Sequence, residues 1–278
     1  MIARRALLAG GGALLAARAV ARPLGEVRES GWLRVAVYDG YRPFSWVERG
    51  VPRGIDAELG ALIAAELGLR VRWLTRMAGE TVEDDLRLNV WRGDFAGTGV
   101  ADLMMHVPVD PVLARRADEV AILGAYFRHE IALAYDPAVV GEEPGFGVFE
   151  RLPIGVEAET MSDFFLLAAR DGRVRENVRH YLGFGAAADA LRRGEVAAVL
   201  GQRGQVEGHL REAADARFRV GVPELPAPYG RRWSVGVAVK EDSRDLGAAV
   251  GDAIASLLAR GEVAAICARH GVTHVPPG

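Results

Sequence analysis

The chain has 278 residues, of which 50% are hydrophobic, and a formal net charge of −3. This length and hydrophobic content suffice for a substantial core in one or two domains. Positive charge comes almost entirely from arginine, Lys240 being the only lysine, and the arginines form no basic cluster along the sequence. These features argue against a nucleic-acid partner.

Residues 1–21 have the pattern of an export signal. Arg4 and Arg5 form a charged segment, residues 6–17 are apolar, and residues 19–21 suit a small-residue cleavage site. The arginine pair is typical of the twin-arginine route, and an ordinary Sec signal remains equally open. The sequence therefore predicts a periplasmic protein. Cys267 is the only cysteine, so no disulfide can form within the chain.

Strand-like and helix-like segments alternate through the first half of the chain. An apolar run at 33–37 predicts a buried strand, and helical spacing of apolar residues at 56–67 predicts a helix with Asp56 as its cap. Further predicted elements are a strand at 69–74, a helix at 82–91, a strand at 102–107 and an extended run at 131–135.

A surface connection at 136–149 leads to a second α/β unit. Its predicted elements are strands at 152–156 and 197–200 and helices at 161–170 and 186–193, followed by a strand at 233–239 and helices at 246–260 and 262–270. The alternation predicts an α/β protein. The aromatic residues Tyr41, Phe44 and Trp46 follow the first strand, at the end of a parallel strand where ligands usually bind.

The order of these motifs resembles that of periplasmic solute-binding proteins of family 3, which capture amino acids and other small polar molecules. The resemblance spans nearly all of the chain after the export signal and includes Gly54-Ile55-Asp56, Asp102-Leu103-Met104, Gly194 to Val199 and Val237 to Lys240. It implies a type II periplasmic binding protein with two α/β lobes, a hinge and a ligand cleft between the lobes. Lobe one would comprise 28–132 plus 237–278, and lobe two would comprise 133–236.

The resemblance also implies a function and partners. The protein would be a monomeric, non-enzymatic binding protein that delivers a small polar solute, amino-acid-like or an organic acid, to an inner-membrane ABC permease. Residues 102–108 and 199–202 are also similar to binding-protein-like partners of quinoprotein alcohol dehydrogenases, so a non-transport accessory role is the first alternative. A cyclohexadienyl-dehydratase-like enzyme using Glu157 and His106 is the second alternative.

Eight residues form the predicted ligand site: Tyr38, Tyr41, Trp46, His106, Asp110, Arg115, Thr160 and Gln202. In amino-acid-binding members of the family, an arginine pairs with the ligand carboxylate and an acid receives its ammonium group. Arg115, or its neighbour Arg116, stands near the arginine position, and Gln202 replaces the acid. The tyrosines and Trp46 could stack on a ligand, whereas Phe44 is expected to pack its own loop onto the lobe.

The remaining polar candidates each have a structural alternative. His106 ends a predicted strand, where it could face a ligand or be an interior histidine with its own partners. Asp110 could accept from a cationic ligand or cap a turn, and Thr160 could hold an anion or simply cap a helix. We expect neither a cofactor nor a metal, because the histidines lack the spacing of zinc or iron sites.

Overall fold

The computed structural model of the protein describes residues 22–95, 97–211, 213–230 and 232–278. The predicted export signal, residues 1–21, lies outside the described residues. Within these ranges, no helix is both long enough and apolar enough to cross a membrane.

Two five-stranded sheets and a small hairpin organise the fold. The strands are β1 (Trp32–Tyr38), β2 (Trp46–Glu48), β3 (Val51–Arg53), β4 (Arg70–Arg76), β5 (Leu103–Pro108), β6 (Val120–His129), β7 (Ile131–Tyr135), β8 (Ile154–Glu157), β9 (Val178–Tyr181), β10 (Ala198–Gln202), β11 (Arg219–Gly221) and β12 (Trp233–Lys240). Sheet one has the order β4-β1-β5-β12-β6, and sheet two has the order β11-β7-β10-β8-β9.

Helices connect the strands and cover both sheets. They are α1 (Leu24–Ser30), α2 (Ile55–Glu66), α3 (Val82–Leu86), α4 (Pro111–Arg116), α5 (Pro137–Val140), α6 (Met161–Ala168), α7 (Phe184–Arg192), α8 (Arg203–His209), α9 (Arg244–Ala259) and α10 (Glu262–Arg269). A π-helical turn, Arg87–Trp91, follows α3 directly, where the sequence predicted one continuous helix over 82–91.

Each sheet combines parallel and antiparallel pairs. In sheet one, β1 runs parallel to β4 and β5, whereas β12 runs antiparallel to β5 and β6. In sheet two, β8 runs parallel to β9 and β10, and β7 runs antiparallel to β10 and β11. The α/β class predicted from the alternating pattern is confirmed. The parallel strands bring loops that are distant in sequence to one edge of each sheet.

The main core lies between sheet one and the helices α2, α9 and α10. Fully buried side chains from all four elements meet there, among them Leu33, Ile63, Leu246 and Val263. The C-terminal helices therefore pack on the first unit. A separate core fills sheet two, where Ile154, Leu166 and Leu200 are buried.

The chain passes between the two sheets at two places close to Glu130. Strand β6 ends at His129 and β7 begins at Ile131, while the returning chain joins sheet one at Trp233, ahead of the expected residue 237. The buried Glu130 carboxylate binds Arg203 at 2.8 Å and Arg232 at 2.7 Å, so it links α8 to both crossings. The exact lobe boundaries and a hinge at these crossings stay predictions.

Candidate functional site

The aromatic loop after β1 is held firmly by backbone hydrogen bonds. Tyr41 and Ser45 exchange two backbone hydrogen bonds of 2.8 Å each. The first amides of α2 donate to this loop, from Ile55 to the Pro43 carbonyl and from Asp56 to the Phe44 carbonyl. The expected Asp56 cap is therefore wrong, because Gly54 is the N-cap and loop carbonyls accept from the amides that a cap would serve.

Gly54 is required where the loop meets α2. Its φ is +108°, and a Cβ at this position would lie 2.4 Å from the Phe44 carbonyl oxygen. Only glycine combines this backbone conformation with such a close approach. The segment Gly54-Ile55-Asp56 therefore anchors the aromatic loop at the start of α2 and fixes the direction in which its rings point.

Tyr41 and Gln202 join the two units directly. Tyr41 follows β1 of sheet one, Gln202 is the last residue of β10 of sheet two, and the Tyr41 hydroxyl donates to Gln202 Oε1 at 2.5 Å. Burial raises the pKa of Tyr41, and the nearby charges of Asp56 and Glu157 raise it further, while the bond to Gln202 partly offsets this effect. The Tyr41 hydroxyl is therefore a neutral donor at every physiological pH.

Two glycines of α8 make room for the aromatic loop. A Cβ on Gly204 would lie 2.6 Å from Phe44 Cζ, and a Cβ on Gly208 would lie 2.5 Å from Pro43 Cγ. Residues four apart share one face of a helix, so both glycines present a flat surface to the loop. Phe44 is fully buried, and its ring also packs on Phe127 at a centroid distance of 5.3 Å. Its expected packing role is confirmed.

A chain of buried polar groups lies beneath the loop. Asp56 accepts from the Tyr126 hydroxyl at 2.6 Å and lies 2.9 Å from Nδ1 of His106. The other ring nitrogen of His106, Nε2, lies 2.9 Å from Nε2 of His129. Asp56, His106, His129 and Tyr126 are all buried. One histidine must donate to the other, so at least one of the facing nitrogens carries a hydrogen.

His129 is the last member of this hydrogen-bonded series. Its Nδ1 is buried without a hydrogen-bond partner among the described residues, and its ring stacks on Trp233 at a centroid distance of 5.3 Å. Burial, together with the neighbouring His106, lowers the pKa of His129 well below its ordinary value. His129 therefore stays neutral near pH 7, because burial disfavours the charged form of its ring.

His106 supports the loop from below. It is only 7% exposed, both its ring nitrogens have partners, and its ring meets that of Tyr41 edge-on at 4.9 Å. Its backbone has a φ of +64°, and its amide donates to the Tyr126 hydroxyl at 3.1 Å. Of the two readings open at the sequence level, this geometry favours an interior histidine that positions Tyr41.

Tyr38 and Trp46 lie on either side of Tyr41 in the sequence but face different surroundings. Tyr38 donates to Asp85 at 2.8 Å and approaches Tyr41 edge-on at 6.3 Å. Trp46 instead contacts His270, and the Arg42 guanidinium lies 4.1 Å from its ring centroid. Tyr38 therefore belongs to the Tyr41 cluster, whereas the neighbours of Trp46 are Arg42 and a residue beyond α10.

The other three predicted residues occupy helix ends or surfaces. Asp110 caps α4 by accepting from the Val112 and Leu113 amides, and Arg115 is exposed on the same helix. Thr160 caps α6 and donates its hydroxyl to the Glu157 carbonyl at 2.8 Å. Asp110 and Thr160 therefore act as helix caps, and a ligand role for these two residues and for Arg115 stays a prediction.

The predicted ligand site did not include Glu157, the two glycines of α8 or His129, although all of them lie near Tyr41 or beneath its loop. Glu157 ends β8, and its carboxylate accepts from Gln205 at 3.3 Å, while burial raises its pKa. Both residues lie at the edge of sheet two that carries Gln202. Two signals were available: Glu157 directly follows a predicted strand, and Gly204 and Gly208 have helical spacing. The pairing of His106 with His129 left no comparable signal.

Comparison with known proteins first gives a negative result. No protein-family model matches the sequence. No curated protein matches it either.

Solved structures, in contrast, match over nearly the whole chain. An ancestral cationic amino acid solute-binding protein (AncCDT-1) is similar with a TM-score of 0.71 and 17% identity, covering 89% of this chain and 99% of that one. An amino acid ABC transporter substrate-binding protein from Streptococcus pneumoniae, bound to L-arginine, has a TM-score of 0.63 and 20% identity, covering 91% and 99%. The solute receptor for L-cysteine of Neisseria gonorrhoeae has a TM-score of 0.61 and 18% identity, covering 90% and 93%.

This chain has the type II periplasmic-binding-protein fold. At these identities, the likeness shows the fold alone. Sheets one and two are the sheets of its two lobes, and the Tyr41–Gln202 hydrogen bond lies between them. In open α/β sheets, ligands bind beyond the carboxyl ends of the parallel strands, which is where Tyr41, Glu157 and Gln202 are found.

Proposed function

We propose that the protein is a periplasmic solute-binding protein that closes its lobes on a small polar solute for an ABC importer. The observation that carries this proposal is the Tyr41–Gln202 hydrogen bond of 2.5 Å. Each residue follows or ends a strand of a different lobe, so opening the lobes would expose both groups together. A solute could then accept from Tyr41 and exchange hydrogen bonds with Gln202 in place of their direct contact.

The charges of the site favour a neutral or cationic solute that carries an amine. The site groups are the Tyr38 and Tyr41 hydroxyls, the Gln202 amide and the Glu157 carboxylate, whereas Arg115 is exposed on α4. An ammonium group beside Glu157 would stabilise its ionised form and offset the raised pKa of this carboxylate. Two similar structures are named for cationic amino acids or contain L-arginine, which supports the same choice.

A solute panel tests this proposal. Melting curves and calorimetric titrations of the mature chain would use neutral, basic and acidic amino acids and their amine analogues. We expect at least one amine-bearing solute to bind, and Glu157→Gln to weaken that binding about tenfold, which corresponds to about 1.4 kcal/mol. The matched control is Glu176→Gln, an exposed acid of the same lobe, which should leave affinity unchanged.

Small-angle X-ray scattering provides an independent measure of closure. With a solute bound between the lobes, the radius of gyration should equal that of the compact form in which Tyr41 lies next to Gln202. The proposal fails if no solute in the panel raises the melting temperature, or if Glu157→Gln and Glu176→Gln change the affinity equally.

A non-transport accessory of a periplasmic quinoprotein dehydrogenase is the second candidate. The observation that favours it is the direct packing of Phe44 on Gly204 and of Pro43 on Gly208, which joins the lobes through the protein's own side chains. A protein that works through its outer surface needs no ligand to hold its lobes together. Titration with a purified quinoprotein alcohol dehydrogenase from the same organism would detect complex formation, and solute binding by the free protein would argue against this role.

A further inference from the structure

Four arginines that are far apart in the sequence lie together at one end of sheet one. Arg34 is on β1, Arg70 and Arg72 are on the edge strand β4, and Arg22 precedes α1. The parallel register places Trp32 beside Arg70 and Arg34 beside Arg72. We call Arg22, Arg34, Arg70, Arg72 and Trp32 the arginine pocket. It lies at the amino ends of β1 and β4, away from the Tyr41 loop.

Asp102 is the carboxylate that serves this group. It is fully buried and binds Arg22 at 2.6 Å, the Arg34 side chain at 2.7 Å and the Arg34 amide at 2.8 Å. Burial alone would raise the pKa of Asp102, but the bonds from Arg22 and Arg34 lower it overall. Asp102 is therefore ionised, and both of its carboxylate oxygens are already bound by Arg22 and Arg34.

Arg70 and Arg72 have no carboxylate partner among the residues that the structure describes. Their guanidinium carbons instead lie 3.8 Å and 4.7 Å from the ring centroid of Trp32. Stacking on an aromatic face orients a guanidinium but leaves its N–H groups free to donate at the edge. Some exposed arginines elsewhere do pair with acids, as Arg193 does with Glu195 at 2.6 Å.

The pocket contains space for a small ligand. A cavity of about 160 Å³ is lined by Arg22, Ser30, Trp32, Arg34 and Arg72. A neighbouring cavity of about 160 Å³ shares Arg34 and Arg72 with it. One water molecule occupies about 30 Å³ in the liquid, so the first cavity can hold an anion of a few heavy atoms.

We propose that the arginine pocket is an oxyanion-binding site that takes a phosphate group. Arg70 and Arg72 stack on the same Trp32 ring without a carboxylate partner among the described residues, and Arg72 lines both cavities, so an anion in the first cavity would offset their positive charge. Planar guanidinium groups bind phosphate oxygens in bidentate pairs, and those on Arg70 and Arg72 are already oriented by Trp32. The phosphate group could be free in solution or be the headgroup of a lipid, and the two sources share this chemistry.

Two titrations of the mature protein test the proposal and separate the sources. One uses inorganic phosphate and calorimetry at low ionic strength. The other uses sedimentation with phosphatidylglycerol vesicles, with phosphatidylcholine vesicles as the neutral reference. The test variant is Arg70→Gln/Arg72→Gln. The control Arg49→Gln/Arg219→Gln removes the same charge from exposed arginines outside the pocket.

We expect binding of one phosphate group per chain, weakened at least tenfold in the test variant and unchanged in the control. Binding to anionic vesicles alone, with the same dependence on the variants, would support the site and identify a lipid headgroup as its ligand. If the double variant does not fold, the single variant Arg72→Lys replaces it in the test. This variant keeps the positive charge but loses the bidentate guanidinium geometry, so it should weaken binding severalfold. Binding of neither probe, or equal loss in both double variants, would overturn the proposal.

Discussion

Replacing Gly204 with alanine tests whether the aromatic loop holds the two lobes together. The new Cβ would lie 2.6 Å from Phe44 Cζ and 3.1 Å from Phe44 Cε2. Carbon atoms in contact are normally about 3.5–4.0 Å apart, so the ring or α8 must move by about 1 Å. Overpacking of this kind costs about 1–3 kcal/mol. In overall stability, the helix preference of alanine over glycine offsets at most about 1 kcal/mol of that cost.

Lobe docking itself should lose about 1–3 kcal/mol, because α8 is helical whether or not the lobes are docked and the preference for alanine therefore changes only overall stability. Because 1.4 kcal/mol corresponds to tenfold in an equilibrium constant, the open form should become at least several times more populated. Hydrogen–deuterium exchange would show faster exchange in residues 41–46 and in α8, and small-angle scattering would show a larger radius of gyration. Adding Phe44→Leu should restore part of the docking, because its shorter side chain relieves the clash with the new methyl group.

Gly251→Ala is the matched control. Gly251 is also in a helix, α9, but its Cβ would meet only Leu123 Cδ1 at 3.5 Å, an ordinary contact. This variant should raise the melting temperature slightly and leave exchange in α8 unchanged. If Gly204→Ala behaves in the same way as Gly251→Ala, the loop does not depend on the glycine surface of α8, and our reasoning about lobe docking is refuted.

Three further predictions concern buried groups. Asp102→Asn should lower the free energy of unfolding in urea at pH 7 by about 3–5 kcal/mol. The pKa of Asp102 is lower in the folded protein than its ordinary value of 3.8, so its stabilising contribution is complete above pH 3.8 and is lost as the pH falls through the folded-state pKa. The difference in stability between the variant and the wild type should therefore shrink in acid. Tyr126→Phe should cost about 1–3 kcal/mol, because Asp56 loses its 2.6 Å donor; no change in the urea midpoint would contradict this. Burial raises the pKa of Cys267 to about 12, so thiol reagents at pH 8 should label it only after unfolding, and rapid labelling of the native protein would argue against its burial.

Local patterns in the sequence were sufficient for most secondary structure and for the fold class. The apolar run at 33–37 lies within β1, and the predicted helix over 246–260 corresponds to α9. Predictions were weaker where local preference and tertiary contacts compete. Asp56 has the right chemistry for a cap, but the loop carbonyls of Pro43 and Phe44 already accept the first amides of α2, and its carboxylate is used by Tyr126 and His106.

The sequence could also indicate which strand ends would carry the site but not which side chains would meet there. Tyr41 and Gln202 were both named from their positions after strands, and the structure joins them across the lobes. Glu157 was considered only as a possible acid catalyst, and His129 was not considered for the site at all. Both depend on contacts between elements, which no spacing within a single segment encodes.

The sequence by itself determined the alternation of strands and helices, because hydrophobic period and turn residues act over a few neighbouring positions. Only the tertiary structure decided the hydrogen-bonded series from Asp56 through His106 to His129. It also decided that Arg22, Arg34, Arg70 and Arg72 lie together beside Trp32. Their members come from separate strands, helices and loops, so their contacts exist only after the sheets have chosen their strand order and register.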